Sequence, residues 1–276
     1  MSWNQRIDLP GTTNLRDIGG HETATGVRVR DRVLYRAEVL LDAGPGENQG
    51  VWREDQAEAY AALGVRTVVD LRAEHEAEVK PTVWARATGA DLVALPVAEG
   101  GEGSDTNFMR MLLAGELARF GPNEMAGFYR DALDRRATTF AAAVRVVADR
   151  DRLPVLVHCS AGKDRTGLLV ALVLSVLGTP RAAIVEDYTL TGVLRPDRVL
   201  AYADVLDAAG VDLEDARALF ETPATAMTAA LDHLDSRYGG AERYLVDAGG
   251  LTPAELDAAR TNLVTSDGAD AHELRP

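Results

Sequence analysis

The sequence predicts an α/β fold with a helical C-terminal third, and three observations lead there. A β-branched run, Val65-Arg66-Thr67-Val68-Val69-Asp70-Leu71, follows an alanine-rich segment that stops at Gly64. A second apolar run, Val155-Leu156-Val157, leads into a tight turn and then a long apolar helical segment. From Arg195 onward the apolar spacing is helical throughout, and no strand is expected after Val157.

The elements follow in order. Asn14 to Gly20, the alternating run Val27-Arg28-Val29-Arg30, and Val33-Leu34-Tyr35-Arg36 read as small strands joined by turns. Glu54 to Leu63 is the helix before Gly64, Ala73 to Val79 a short acidic helix ended by Pro81, and Asp91 to Val97 a further strand. Glu99 to Asn107, rich in glycine and acid, reads as a mobile surface loop. Phe108 to Ala114, Glu124 to Asp134 and Thr138 to Asp149 carry apolar residues at helical spacing. Arg165 to Leu177 is a buried helix stopped at Gly178, and Pro180 to Leu190 another that starts on proline. Breaks at Gly210, Pro223, Gly239-Gly240 and Gly249-Gly250, with caps at Asp212 and at Thr252 before Glu255, divide the remainder. Without an internal repeat or a low-complexity linker, residues 1–276 read as a single domain.

Composition narrows the function. Hydrophobic residues make up 46% and charged residues 26%, the balance of an ordinary globular protein. No apolar run reaches the length of a membrane span, and the N-terminus lacks the pattern of a secretory signal. The expected location is the cytoplasm, with leaderless export left open, and no integral membrane association is expected. The net charge of −14 disfavours nucleic acid as a partner. A single cysteine allows no internal disulfide, and the five histidines lack metal-ligand spacing. Neither a metal nor a cofactor is expected.

Chemistry concentrates at His158-Cys159-Ser160-Ala161-Gly162-Lys163-Asp164-Arg165-Thr166-Gly167. A strand delivers a cysteine to a glycine-containing loop, and an arginine six positions later opens a helix. Successive backbone N–H groups from Ser160 through Ala161, Gly162, Lys163 and Asp164 to Arg165 can curl round one phosphate, and the helix N-terminus adds partial positive charge. Arg165 supplies a planar fork for two phosphate oxygens. The same field favours the thiolate of Cys159, a nucleophile whose attack on phosphorus would give a phosphocysteine that water then hydrolyses. Thr166 either donates its hydroxyl to the departing sulfur or is simply a first-turn helix residue. A lone cysteine is more often a small buried hydrophobe, but the residues around this one outweigh that alternative.

In full, the loop has the Cys-x5-Arg signature of protein tyrosine phosphatases, and it resembles the bacterial tyrosine phosphatase family typified by mycobacterial phosphatase B. Asn14 to Gly20, Leu34-Tyr35-Arg36, Val69-Asp70-Leu71-Arg72, Tyr238-Gly239-Gly240 and Tyr244-Leu245 look like that family's other marks. The resemblance implies a protein tyrosine phosphatase-like central mixed sheet flanked by helices. It also implies a helical lid over the active site, expected within 195–236, that shields the thiolate and gates access.

The same resemblance implies that the aspartate within the loop, Asp164, protonates the leaving oxygen, against a rival role as a helix cap. Asp17, Asp70 and Asp91 are held in reserve for the acid, while Arg16 and Asp17 are expected to brace the loop. Lys163 beside Gly162 is similar to the Gly-Lys pair of phosphoinositide phosphatases. Phe108, Phe128, Tyr129 and Tyr188 are candidates for lining a pocket, core packing being the alternative for each. Expected substrates are phosphorylated proteins or phosphoinositides, with phosphotyrosine, phosphoserine/threonine and inositol lipids all open. A nucleotide-binding loop is excluded because Val157 and Asp164 stand where it needs glycine and serine or threonine. A rhodanese-type sulfurtransferase lacks this Lys-Asp-Arg-Thr run. The alternative from another class is a noncatalytic phosphate-binding reader.

Overall fold

The computed structural model describes residues 5–43, 50–98, 108–195 and 202–265. Among these residues seven short strands form in chain order: β1 (Arg16–Asp17), β2 (Leu34–Ala37), β3 (Leu41–Asp42), β4 (Val51–Trp52), β5 (Thr67–Asp70), β6 (Asp91–Ala94) and β7 (Val155–His158). Five of them build a mixed sheet in the order β1-β2-β7-β5-β6, with β1 antiparallel to β2 and the other neighbours parallel. β7 is the centre, and its register sets Leu156 opposite Tyr35 and Val68.

Side chains alternate across a strand, so the sheet divides the core in two. Tyr35, Val68 and Leu156 point to one side, where Leu63, Val65 and Trp84 pack with them. Leu34, Val69, Val155 and Val157 point to the other, onto the main cluster. Burial on both faces is what a largely parallel sheet requires, and it explains the nearly unbroken apolar runs of β5 and β7.

The first side carries α1 (Ala57–Ala61) and α3 (Trp84–Thr88), while α2 (Glu74–Val79) follows the end of β5 and buries none of its residues. The rest of the chain supplies α4 (Phe108–Leu113), α5 (Pro122–Arg135), α6 (Ala137–Ala148), α7 (Asp164–Val176), α8 (Arg181–Leu194), α9 (Ala203–Ala208), α10 (Leu213–Ala216), α11 (Ala224–His233), α12 (Ala241–Arg243) and α13 (Pro253–Leu263). α7 is buried all round, from Leu168 through Leu174, and forms the axis of the large cluster. α13 begins with a reciprocal cap in which Thr252 and Glu255 each hold the other's backbone N–H.

Several expectations need correction. Val27–Arg30 makes only isolated bridges, one of them from Val29 to Val264, because each is flanked by turns that end pairing after one residue. The helix expected over Glu54–Leu63 shortens to α1 behind a 3₁₀ turn at Glu54–Gln56. The parallel β3–β4 pair and α3 were not anticipated, being too short to show periodicity. The loop expected at Glu99 to Asn107 lies outside the described residues. Among the described residues no helix is long and apolar enough to cross a membrane.

Candidate active site

β7 ends at His158 and α7 begins at Asp164, so the five residues between them sit at the C-terminal edge of the central strand. Helix N-terminus and strand end meet there, as anion sites in parallel sheets require. His158 is fully buried, with Nδ1 3.1 Å from the Cys159 carbonyl and 3.8 Å from Asp70 Oδ1. Burial pushes the imidazole below its usual range despite the pull of Asp70, so it is neutral at pH 7. Cys159 is itself 1% exposed.

The loop's peptide planes are pinned from outside by their carbonyls. Ser160 O accepts from Val39 N at 3.1 Å, and Ala161 O accepts from Asn14 Nδ2 at 3.1 Å and Arg195 Nη1 at 2.6 Å. Gly162 O accepts from Asn14 Nδ2 at 3.2 Å and Arg36 Nη2 at 2.7 Å. In a trans peptide the following N–H points opposite its carbonyl. The N–H groups of Ala161, Gly162 and Lys163 are therefore turned away from these braces, and none of them donates to a protein acceptor among the described residues. Gly162 alone fits its place: φ is +65°, and a Cβ would stand 2.3 Å from Ala37 O.

Beneath the loop lies a buried charge cluster. Asp187 of α8 accepts from Arg16 Nε at 3.0 Å and from Arg36 Nη1, while Arg16 also holds Asn14 Oδ1. Burial would raise the Asp187 carboxyl, but Arg16 and Arg36 outweigh it and hold it at about 2. Glu38 completes the support by accepting from the Asn14 backbone N–H at 3.1 Å. The expected bracing role of Arg16 thus has a geometry. Asp17 braces something else, accepting from Gly19 N and Arg32 N in the turn that leads to β2.

At the mouth, both Arg165 Nη groups donate to the Glu76 carboxylate, which also accepts from Ser160 Oγ. Burial raises the Glu76 carboxyl, yet the hydrogen bonds and charge of Arg165 pull it down to about 2. Lys163 Nζ is drawn away from the cup, onto the carbonyls of Ala218 (3.2 Å), Leu219 (2.8 Å) and Glu221 (3.1 Å). Asp164 is the first residue of α7 rather than its cap; Oδ1 accepts from Tyr129 at 2.7 Å and lies 3.4 Å from Lys163 Nζ. Thr166 Oγ1 is buried with no hydrogen-bond partner among the described residues.

These groups open into a cavity of about 290 Å³ whose far wall is apolar, with Phe108, Met109, Phe120, Met125 and Phe128 on one side and Tyr202, Leu219 and Phe220 on another. Of the four aromatic candidates, Phe108 and Phe128 line it, whereas Tyr129 and Tyr188 are buried behind the loop. Of the reserve acids, Asp70 is gripped by Arg72 at 2.6 Å, Asp17 is engaged as above, and Asp91 starts β6 at the opposite end of the sheet. The range expected for the lid splits: α11 buries Ala226, Met227 and Ala230 against the body, while residues 202–221 edge the cavity; 196–201 lie outside the described residues.

Sequence reasoning missed Glu76, because one carboxylate in the run Glu74 to Glu78 reads as part of a solvated helix face. It also missed Asp187 and Arg195, which reach the loop only through tertiary folding.

A model of the tyrosine phosphatase family matches residues 7–265. The triple specificity protein phosphatase PtpB of Mycobacterium tuberculosis is 30% identical over 277 residues, covering 88% of this chain and 93% of that protein. A tyrosine-protein phosphatase of Nostoc commune is 30% identical over 211 residues, 75% of this chain and 68% of that one. A Cupriavidus necator protein with a provisional tyrosine-phosphatase name is 30% identical over 257 residues, 91% of this chain and 87% of that one. Among solved structures, the core catalytic domain of the PP-IP phosphatase SIW14 from S. cerevisiae is similar at a TM-score of 0.35 and 13% identity, over 67% of this chain and 79% of that one, which adds nothing on activity. With its family model spanning nearly the whole chain, this protein belongs to the tyrosine phosphatase family and is a cysteine-dependent phosphatase.

Proposed function

We propose that the chain hydrolyses aryl phosphate monoesters, phosphotyrosine in proteins foremost, through a phosphocysteine on Cys159. The thiolate attacks phosphorus in line; the S–P bond forms as the P–O bond to the leaving group breaks. Backbone N–H groups from Ser160 to Arg165 hold the equatorial oxygens, and the Arg165 fork follows their charge. Glu76 takes one donor from each Nη group and Ser160 Oγ lies 3.4 Å from Nη2, so the guanidinium is held in place beside the loop. Asp164 gives its proton to the leaving oxygen. Water then attacks phosphorus, its proton passes to Asp164, and the S–P bond breaks to release inorganic phosphate. Thr166 donates its otherwise unused hydroxyl to the departing sulfur.

The observation that carries this reading is the loop itself, with carbonyls tied outward by Asn14, Arg36 and Arg195 around a buried thiol. The substrate class rests on the cavity wall. Four phenylalanines and two methionines suit a flat aromatic carrier, and Lys163, the cation that would favour a polyphosphorylated ring, is committed to carbonyls. Residues 202–221 act as the cover over that cavity.

A panel of phosphotyrosine, phosphoserine and phosphothreonine peptides and phosphoinositides tests the substrate class. Phosphotyrosine peptides should give the highest kcat/KM, and a preference for inositol lipids would refute the assignment. Phosphopeptide binding without turnover would instead establish a reader. For the acid, Asp164→Asn should lose about 10²-fold or more on phenyl phosphate and little on an ester with a good leaving group.

A further inference from the structure

Behind the loop, two buried tyrosines from different helices converge on Asp164. Tyr129 lies on the apolar stripe of α5 with Met125, Ala132 and Leu133, and it is fully buried. Tyr188 of α8 is 1% exposed, follows the loop-bracing Asp187 in sequence, and meets Tyr129 edge to face at 5.9 Å and 87°. Packing alone would explain the rings, but not where both hydroxyls go.

The Tyr129 hydroxyl lies 2.7 Å from Asp164 Oδ1, and the Tyr188 hydroxyl lies 2.7 Å from that of Tyr129. A phenol has one hydrogen to give. If Tyr129 spends its hydrogen on the carboxyl, Tyr188 must donate to Tyr129, and the chain runs one way: Tyr188 to Tyr129 to Asp164. Burial pushes the Tyr129 hydroxyl well above its usual range, so it stays a donor near neutral pH.

The consequence lies in which carboxyl oxygen is used. Tyr129 and Lys163 both sit on Oδ1, and Oδ2 receives no hydrogen bond among the described residues. The Asp164 side chain is 20% exposed and lines the cavity. With Oδ1 occupied as an acceptor, a proton on Asp164 belongs on Oδ2. Gly167, one turn along α7, makes room for this arrangement: a Cβ there would stand 3.1 Å from the Tyr188 ring.

We infer that Tyr129, backed by Tyr188, is a positioning residue that clamps Oδ1 of Asp164 and thereby presents the protonated Oδ2 to the leaving oxygen. The inference rests on Asp164 being the general acid. Tyr129 touches no substrate; it fixes the rotamer and the proton position of the group that does.

The test measures kcat/KM for wild type, Asp164→Asn, Tyr129→Phe and Tyr188→Phe on aryl phosphates graded from phenyl to 2,4-dinitrophenyl phosphate. Thermal melts check that each variant is folded. Tyr129→Phe keeps the ring and removes only the hydroxyl. It should lose about tenfold on phenyl phosphate and less than about twofold on the dinitrophenyl ester, so its dependence on leaving-group basicity steepens in the same sense as that of Asp164→Asn. Tyr188→Phe should steepen it less, and it carries the test should Tyr129→Phe fail to fold. A Tyr129→Phe loss that is equal across the series, or absent, while Asp164→Asn remains leaving-group dependent, overturns the clamp and leaves the acid standing. Equal losses across the series in Asp164→Asn overturn the acid and the clamp together.

Discussion

Glu76→Gln isolates the charge that holds the Arg165 fork. The side chain is 26% exposed, both of its oxygens meet the guanidinium, and its carboxyl is drawn from the ordinary 4.5 to about 2. At about 1.4 kcal/mol per pH unit, that difference contributes about 3 kcal/mol at neutral pH. The folded value lies below the unfolded one, so this stability is fully present above about pH 4.5 and is lost as the pH falls toward 2. At pH 3 about half remains. Urea denaturation at pH 7 and pH 3 should therefore show the variant less stable by about 3 kcal/mol at the higher pH, with the gap roughly halved at the lower. A gap that is the same at both pH values would refute the reasoning, because it would mean Glu76 acts through packing and not through its charge.

Asp187→Asn leaves Arg16 and Arg36 buried without their shared carboxylate; a loss of about 3 kcal/mol or more is expected in denaturant melts, with activity falling as the loop loosens. Gly162→Ala puts a methyl against the Ala37 carbonyl at a positive φ; kcat/KM on p-nitrophenyl phosphate should fall by about 10²-fold or more while circular dichroism stays unchanged. Lys163→Met releases the carbonyls of Ala218, Leu219 and Glu221, and limited proteolysis should then cut faster within 202–221 than elsewhere in the chain.

The parts legible in the sequence are those that local pattern controls. β5 and β7 announced themselves as β-branched runs because both faces are covered, and α7 because it is apolar all round. The cup was legible because ten consecutive residues build it. Of what supports the cup, only the bracing by Arg16 was expected: Asn14, Arg36, Asp187 and Arg195 come from four distant places, and their common task exists only after folding. Glu76 hides among neighbouring carboxylates, and nothing in local spacing says which of them faces Arg165. The partners of the Lys163 ammonium were illegible for a related reason, since they are carbonyls 55 to 58 residues away.

Rapid acid quench of the enzyme during turnover of an aryl phosphate, followed by mass spectrometry of the Cys159 peptide, tests the nucleophile most directly. A single phosphoryl group on Cys159, gone together with all turnover in Cys159→Ser, is the expected result. Turnover that survives in Cys159→Ser would contradict it.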